Sequence, residues 1–211
     1  SNLKVVADEI TIKYLNASSM NVLLQGKKII VLEDGHLFGK NITMTAADSD
    51  SNLTPVIDAI TENVGLDMDV ALGLADVITG TEIRIHPNAM VNANGSVILS
   101  ATSTQNQALL VVGALSPLGI KVGSSHVFVD GIIKAAGSVS AEAINTFRQD
   151  ASNSALSAAF VPLAVMVLVS DTEVNVGKTG TILANGAVSL KAATDIQTTC
   201  MSYTGALPIT L

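Results

Sequence analysis

The segment from Thr81 to Ala101, TEIRIHPNAMVNANGSVILSA, lies over the segment from Thr172 to Ala192, TEVNVGKTGTILANGAVSLKA, at a gapless offset of 91 residues. Self-similarity at a fixed long interval constrains a fold more than local propensity does, because each copy must adopt the same structure and meet its neighbours in the same way. Between these two copies, HVFVDGIIKAAGSVSAEA (His126 to Ala143) carries the same beats once two or three residues are deleted. The register is clearest at glycine. Gly95, Gly137 and Gly186 are followed by Val97, Val139 and Val188, then by Leu99, Ala141 and Leu190, then by Ala101, Ala143 and Ala192. Intervals are therefore 42 and 49 residues. KNITMTAAD repeats the pattern more loosely with Ile42, Met44 and Ala46, and NLKVVAD at the start is a candidate fifth copy. A second marker, Pro117, Pro162 and Pro208, recurs at 45 and 46 residues, so that Leu211 falls at the start of another repeat and the natural polypeptide is expected to continue.

Within each copy apolar residues alternate, as in Val174-x-Val176 and Val188-x-Leu190-x-Ala192. Period two marks strands with one buried face. Gly, Asn, Asp and Ser separate the strands, and the glycines, with Asn94 or Asn185 before them, suit corners at positive φ. A β-sandwich or barrel of antiparallel hairpins and a β-solenoid both accommodate short alternating strands. The fixed interval favours the solenoid, in which equivalent residues stack in ladders along one axis. The chain is 48% hydrophobic but only 3% aromatic, without Trp, which fits a narrow interior filled by Val, Ile, Leu and Ala. The expected fold is thus all-β, a right-handed parallel β-helix; at roughly 20–25 residues per coil, each repeat of about 45 makes about two coils. Residues 1–211 read as a single solenoid segment of a longer chain, with a loop-bearing bulge at 48–76 and, at 140–160, an extended coil side or a short external helix.

The stretch VPLAVMVLVSDTEVNVGKTGTILANGAVSLKAATD resembles the repeats of filamentous-haemagglutinin-like and leukotoxin-type filamentous adhesins of Gram-negative bacteria, which combine a Leu-Pro or Val-Pro stretch, an alternating Val-x-Val segment, Gly, and Gly-x-Val-x-Leu-x-Ala. The pattern covers Val70 to Leu211 well and the part of the chain before Val70 poorly. The resemblance implies a secreted, extracellular or cell-surface segment of a long right-handed β-helical fibre. Its role would be structural or adhesive, a rigid rod presenting loops to a host or cell-surface protein or glycan and abutting adjoining repeats of its own chain. It carries no residue-level binding site.

Charge narrows the partners. With 11 Lys+Arg against 18 Asp+Glu and a net charge of −7, no strong phosphate-binding face is expected, which excludes nucleic acid. The longest apolar run, Ala158 to Val169, is interrupted by a proline and is too short to insert across a bilayer. Cys200 is the single cysteine, so no intrachain disulfide exists.

Sites of chemistry are sparse. Asp48, Asp50 and Asn52 occupy positions 1, 3 and 5 of a calcium-type loop, but Leu53 stands at position 6, where glycine belongs, and Ala59 at position 12, where a bidentate Glu belongs. They are weak calcium candidates, with a solvated loop as the default. The alternative function is a carbohydrate-active β-helix, a polysaccharide lyase or hydrolase, which would need Asp48, Asp50, Asp67, Asp69 and Asp76 to converge in a cleft. His36, His86 and His126 fall in similar-looking parts of different repeats without ligand spacing. No nucleophile motif, phosphate loop or dinucleotide fingerprint is present, and neither catalytic residues nor a cofactor are expected.

Overall fold

Alternating Val/Ile/Leu sequences separated by turn residues form strands throughout the computed structural model, which describes residues 1–49, 74–106, 109–112, 118–155 and 165–204. The elements are β1 (Asn2–Val6), β2 (Glu9–Ala17), β3 (Asn21–Gly26), β4 (Lys28–Gly39), β5 (Ile42–Ser49), β6 (Leu74–Ile85), β7 (Met90–Ala93) and β8 (Val97–Gln105), followed by β9 (Leu109–Val112), β10 (Leu118–Val129), β11 (Ile132–Ala135), β12 (Val139–Ala155), β13 (Val165–Val176), β14 (Thr181–Ala184) and β15 (Val188–Thr204). The fold is all-β, and both of its sheets are parallel.

One sheet runs β1-β3-β5-β8-β12-β15, with β9 also on β12. The other runs β13-β10-β6-β4-β7-β11-β14, with β2 on β4. The second sheet has two limbs joined by a corner within β4. Lys28–Val31 pair with Glu82–Ile85, whereas His36–Gly39 pair with Met90–Ala93. At this corner Asp34 adopts φ 54°, a left-handed conformation that Asp tolerates.

Register connects distant sequence. Ile42, Val97, Val139 and Val188 are successive partners across β5, β8, β12 and β15. So are Met44, Leu99, Ala141 and Leu190, and Ala46, Ala101, Ala143 and Ala192. Ile29, Ile83, Val127 and Val174 align in the other sheet. These inward residues pack into one core, in which Val97, Leu99, Ala101, Ile83 and Val127 are wholly buried. A parallel sheet covered on its inner face in this way gains about 1.5–3 kcal/mol per fully buried aliphatic side chain.

Two expectations are corrected. Direct pairing of Val97 with Val139 and of Val139 with Val188 puts these equivalent residues on adjacent strands, with no intervening strand between them as two coils per repeat would require. The extra length is taken up by long strands, twelve residues in β10 and β13 and seventeen in β12 and β15. Nearer the start, paired strands lie closer in sequence: Asn2 pairs with Asn21, nineteen residues on. Secondly, Gly95, Gly137 and Gly186 are not at positive φ, and Asp34 and Asn88 are the only described non-glycine residues that are. The glycines instead permit close stacking of successive corners. The Gly137 amide donates to Gly95 O and the Gly186 amide to Gly137 O, both at 2.9 Å. A Cβ on Gly137 would lie 2.6 Å from Ser96 Oγ, and one on Gly186 2.6 Å from Ser138 Oγ.

Ser140–Ala155 is strand, part of β12, so no external helix forms over those residues; 156–160 lie outside the described residues. Of the 48–76 bulge, residues 50–73 likewise lie outside them, as do Pro117, Pro162 and Pro208. No helix among the described residues is long and apolar enough to cross a membrane.

Candidate functional site

Two residues beyond the alanine column, the inward positions of the first sheet turn polar: Asp48, Ser103, Asn145 and Thr194 succeed one another in register. They face Thr79, Thr81, Ser125, Ser170 and Thr172 of the opposite sheet, and hydroxyls and amides close a network between the sheets. Gln105 Nε2 donates to Thr79 Oγ1 and to Val122 O, each at 2.8 Å, and Ser103 and Thr79 share a hydroxyl hydrogen bond. Asn145 Oδ1 accepts from Ser125 Oγ at 2.6 Å, while its Nδ2 donates to Gly123 O at 2.8 Å and Ser170 Oγ at 2.9 Å. The seam ends at Thr194, whose hydroxyl lies 2.7 Å from that of Ser170. Beyond it, Phe147 fills the space left by Gly123, where a Cβ would approach the ring to 2.9 Å. Buried polar groups are costly unless partnered, and these are partnered with one another.

Asp48 belongs to this seam and not to an open loop. Its Oδ1 is 3.0 Å from Lys27 Nζ, and its Oδ2 accepts from the Gly80 amide at 3.1 Å. The hydrogen bond and charge of Asp48 raise the Lys27 ammonium above its ordinary pKa. Both Asp48 oxygens are thereby engaged within the chain. Asp50, Asn52, Asp67 and Asp69 lie outside the described residues, and Asp76 lies on β6 opposite Ile120 of β10. Among the described residues no group of three or more His, Cys, Asp or Glu is placed to hold a metal ion.

The histidines do not share a ladder. His36 pairs with Met90, His126 with Glu82 and Glu173, and His86 follows β6 in a turn. His126 belongs to an outer column, Glu9, Lys28, Glu82, His126 and Glu173, and its Nε2 is 3.0 Å from Asp171 Oδ2. In the next column Arg84 lies 4.2 Å over the Phe128 ring and bonds Glu82 at 2.8 Å. The other limb carries Tyr14, His36 and Phe38 in ring contact, beside a shallow groove of about 440 Å³ lined by Asn92, Asn94, Lys134, Leu183 and Asn185. These surfaces offer hydrogen bonds, ring faces and the cationic groups of Lys28, Arg84 and Lys134.

A third ladder was missed at the sequence level. Asn21 Nδ2 donates to Asn2 Oδ1 and Asn41 Nδ2 to Asn21 Oδ1, both at 2.9 Å, and the Ser96 amide then donates to Asn41 Oδ1 at 2.9 Å. The 19- and 20-residue spacing of Asn2, Asn21 and Asn41 was the available signal.

No family model, curated protein or solved structure matches the chain.

Proposed function

We propose that the chain is a segment of a right-handed parallel β-solenoid that works as a structural and adhesive module of a secreted, filamentous-haemagglutinin-like bacterial surface protein. The observation that carries this reading is the set of in-register columns, in which equivalent residues of successive copies stack directly on one another in both sheets. Right-handedness follows from the general rule for crossovers between parallel strands. A stack of this kind grows by adding coils to either end without a new core, which suits a long spacer. The sheet faces then supply contact surface, with the Tyr14–Phe38 rings and the asparagine-lined groove as the points of attachment to a host or cell-surface protein or glycan. The lyase or hydrolase alternative is disfavoured by Asp48, the one acidic candidate whose side chain is described, which is committed to Lys27 and Gly80.

Two measurements test the proposal. Ile98 and Ser140 are partners on the outer face. Neighbouring parallel strands are about 4.8 Å apart, within disulfide reach, so Ile98→Cys with Ser140→Cys in a Cys200→Ser background should form an intrachain disulfide. Its absence in a folded protein ends the solenoid reading. The chain should also bind saturably to cell-surface or matrix preparations while releasing neither reducing ends nor unsaturated uronate from a polysaccharide panel. Release above background ends the adhesive reading in favour of the enzyme.

A further inference from the structure

Charge is spread unevenly over the outer faces. On the limb of the second sheet that carries Glu82–Ile85, a single outward column holds Glu9, Glu82 and Glu173. The limb that carries Met90–Ala93 is built from β2, β4, β7, β11 and β14 and presents two outward positions on each strand. None of these is Asp or Glu, although the chain has 18 such residues. The acidic residues of β4, Glu33 and Asp34, sit at the corner between the limbs. One outward column of the acid-free limb reads Asn16, Phe38, Asn92, Lys134 and Leu183. Its last three members, with Asn94 and Asn185 at the corner that follows, line the groove of about 440 Å³. Lys134 is exposed and makes no ion pair with a described residue, and the side chains of Asn92 and Asn185 hydrogen-bond no described residue.

We infer that this face binds a linear polysaccharide bearing uronate carboxylates. The inference rests on reading the groove as a point of attachment, and it names the ligand. An ammonium on a face without carboxylates attracts an anion, because no acidic neighbour on that face competes for it. Side-chain amides both donate and accept hydrogen bonds, which matches the hydroxyls of a sugar. Phe38, in register with Asn92, adds an apolar ring face beside the groove. The groove is shallow and covers one side of a ligand, whereas sites for small molecules enclose most of the ligand surface. The column spans four strand steps, about 19 Å, enough for several sugars of an extended chain. Charge density selects the acid. Lys134 alone, in a chain of net charge −7, suits a polymer with one carboxylate per sugar; a heavily sulfated polymer or a nucleic acid needs a dense array of cations.

The experiment measures binding of the full chain to immobilised polygalacturonate. Binding should be saturable at low ionic strength and weaken as salt is added. Lys134→Gln should lower the affinity about three- to tenfold, and Lys134→Arg should retain it. Lys191→Gln removes the same charge from the outer face of the first sheet, where Lys191 pairs with Glu142, and should bind as the parent does. Methyl-esterified polygalacturonate, which keeps the sugars and loses the charge, should bind more weakly than the free acid. Undiminished binding by Lys134→Gln or to the methyl ester overturns the inference. So does tighter binding to dextran sulfate or to polyglutamate, which would make the ligand a sulfated polymer or an acidic peptide. The adhesive reading fails separately. Cell-surface preparations bound equally by the parent and by Lys134→Gln, without binding to polygalacturonate, leave that reading standing and end this inference. Polygalacturonate bound through Lys134 and cleaved ends the adhesive reading and leaves the groove as a uronate site.

Discussion

Asn145 stands in register on Ser103, as Val139 stands on Val97, six positions earlier in the same strands. The first pair continues a polar seam and the second an apolar column, so one strand face holds both. Asn145 is wholly buried and uses both ends of its amide, toward Ser125 on one side and Gly123, Ser170 and Asp171 on the other. Replacement by leucine keeps the volume but strands buried carbonyl groups, at about 1–3 kcal/mol each. Asn145→Leu should lower unfolding free energy by about 2–3 kcal/mol, read from denaturant midpoints at unchanged slope. An equally stable variant would show that the seam only fills space.

Gly137 approaches the preceding corner so closely that its missing side chain is the structural requirement. A Cβ there meets Ser96 Oγ at 2.6 Å and the Gly95 carbonyl carbon at 3.1 Å. Gly137→Ala should cost about 1–3 kcal/mol, the range of overpacked sites. Adding Ser96→Gly removes the nearer obstacle and should restore part of the loss, because the backbone contact persists. The double-mutant cycle in urea measures the coupling.

Ala101 and Ala192 occupy the same column, two strands apart, yet Ala101 is fully buried and Ala192 is exposed on β15, the edge strand of its sheet. Ala101→Val should destabilise by about 1–3 kcal/mol through overpacking, and Ala192→Val should be within about 0.5 kcal/mol of the parent chain. Thermal unfolding of the two variants side by side checks this. Equal losses would mean that Ala192 is covered in solution.

The columns through Val97, Leu99 and Ala101 were legible because equivalent residues recur after the same glycine beat. Asp48, Ser103, Asn145 and Thr194 follow the alanines by the same two residues, so the polar seam was equally within reach. It was overlooked because a search for alternating apolar residues stops where they stop. That equivalent residues of successive copies would pair directly was not legible, since alternation marks a strand without saying how far the chain runs before it turns. Strand β3, with buried Val22 and Leu24, was also missed, because its short spacing from β1 and β5 does not share the longer interval of the later copies. As for the surface, Tyr14 and Phe38 are distant in sequence and meet only through the pairing of β2 with β4.

The Lys27–Asp48 pair gives the chain an alkaline signature. Hydrogen bonding to Asp48 is the main cause of the raised Lys27 pKa, followed by the charge of Asp48; burial opposes them, and the charge of Asp8 adds the smallest contribution. A lysine whose pKa is higher folded than unfolded contributes stability that is fully present below its ordinary value of 10.5 and is lost as pH rises through the raised value. The Lys27 side chain is 52% exposed, so solvent screening holds the contribution to about 1 kcal/mol or less. Lys27→Met should therefore lower the urea midpoint slightly at pH 8, and the difference from the parent should shrink above pH 10.5 and in high salt. A difference that persists unchanged at alkaline pH would assign the role of Lys27 to its aliphatic stem instead of its charge.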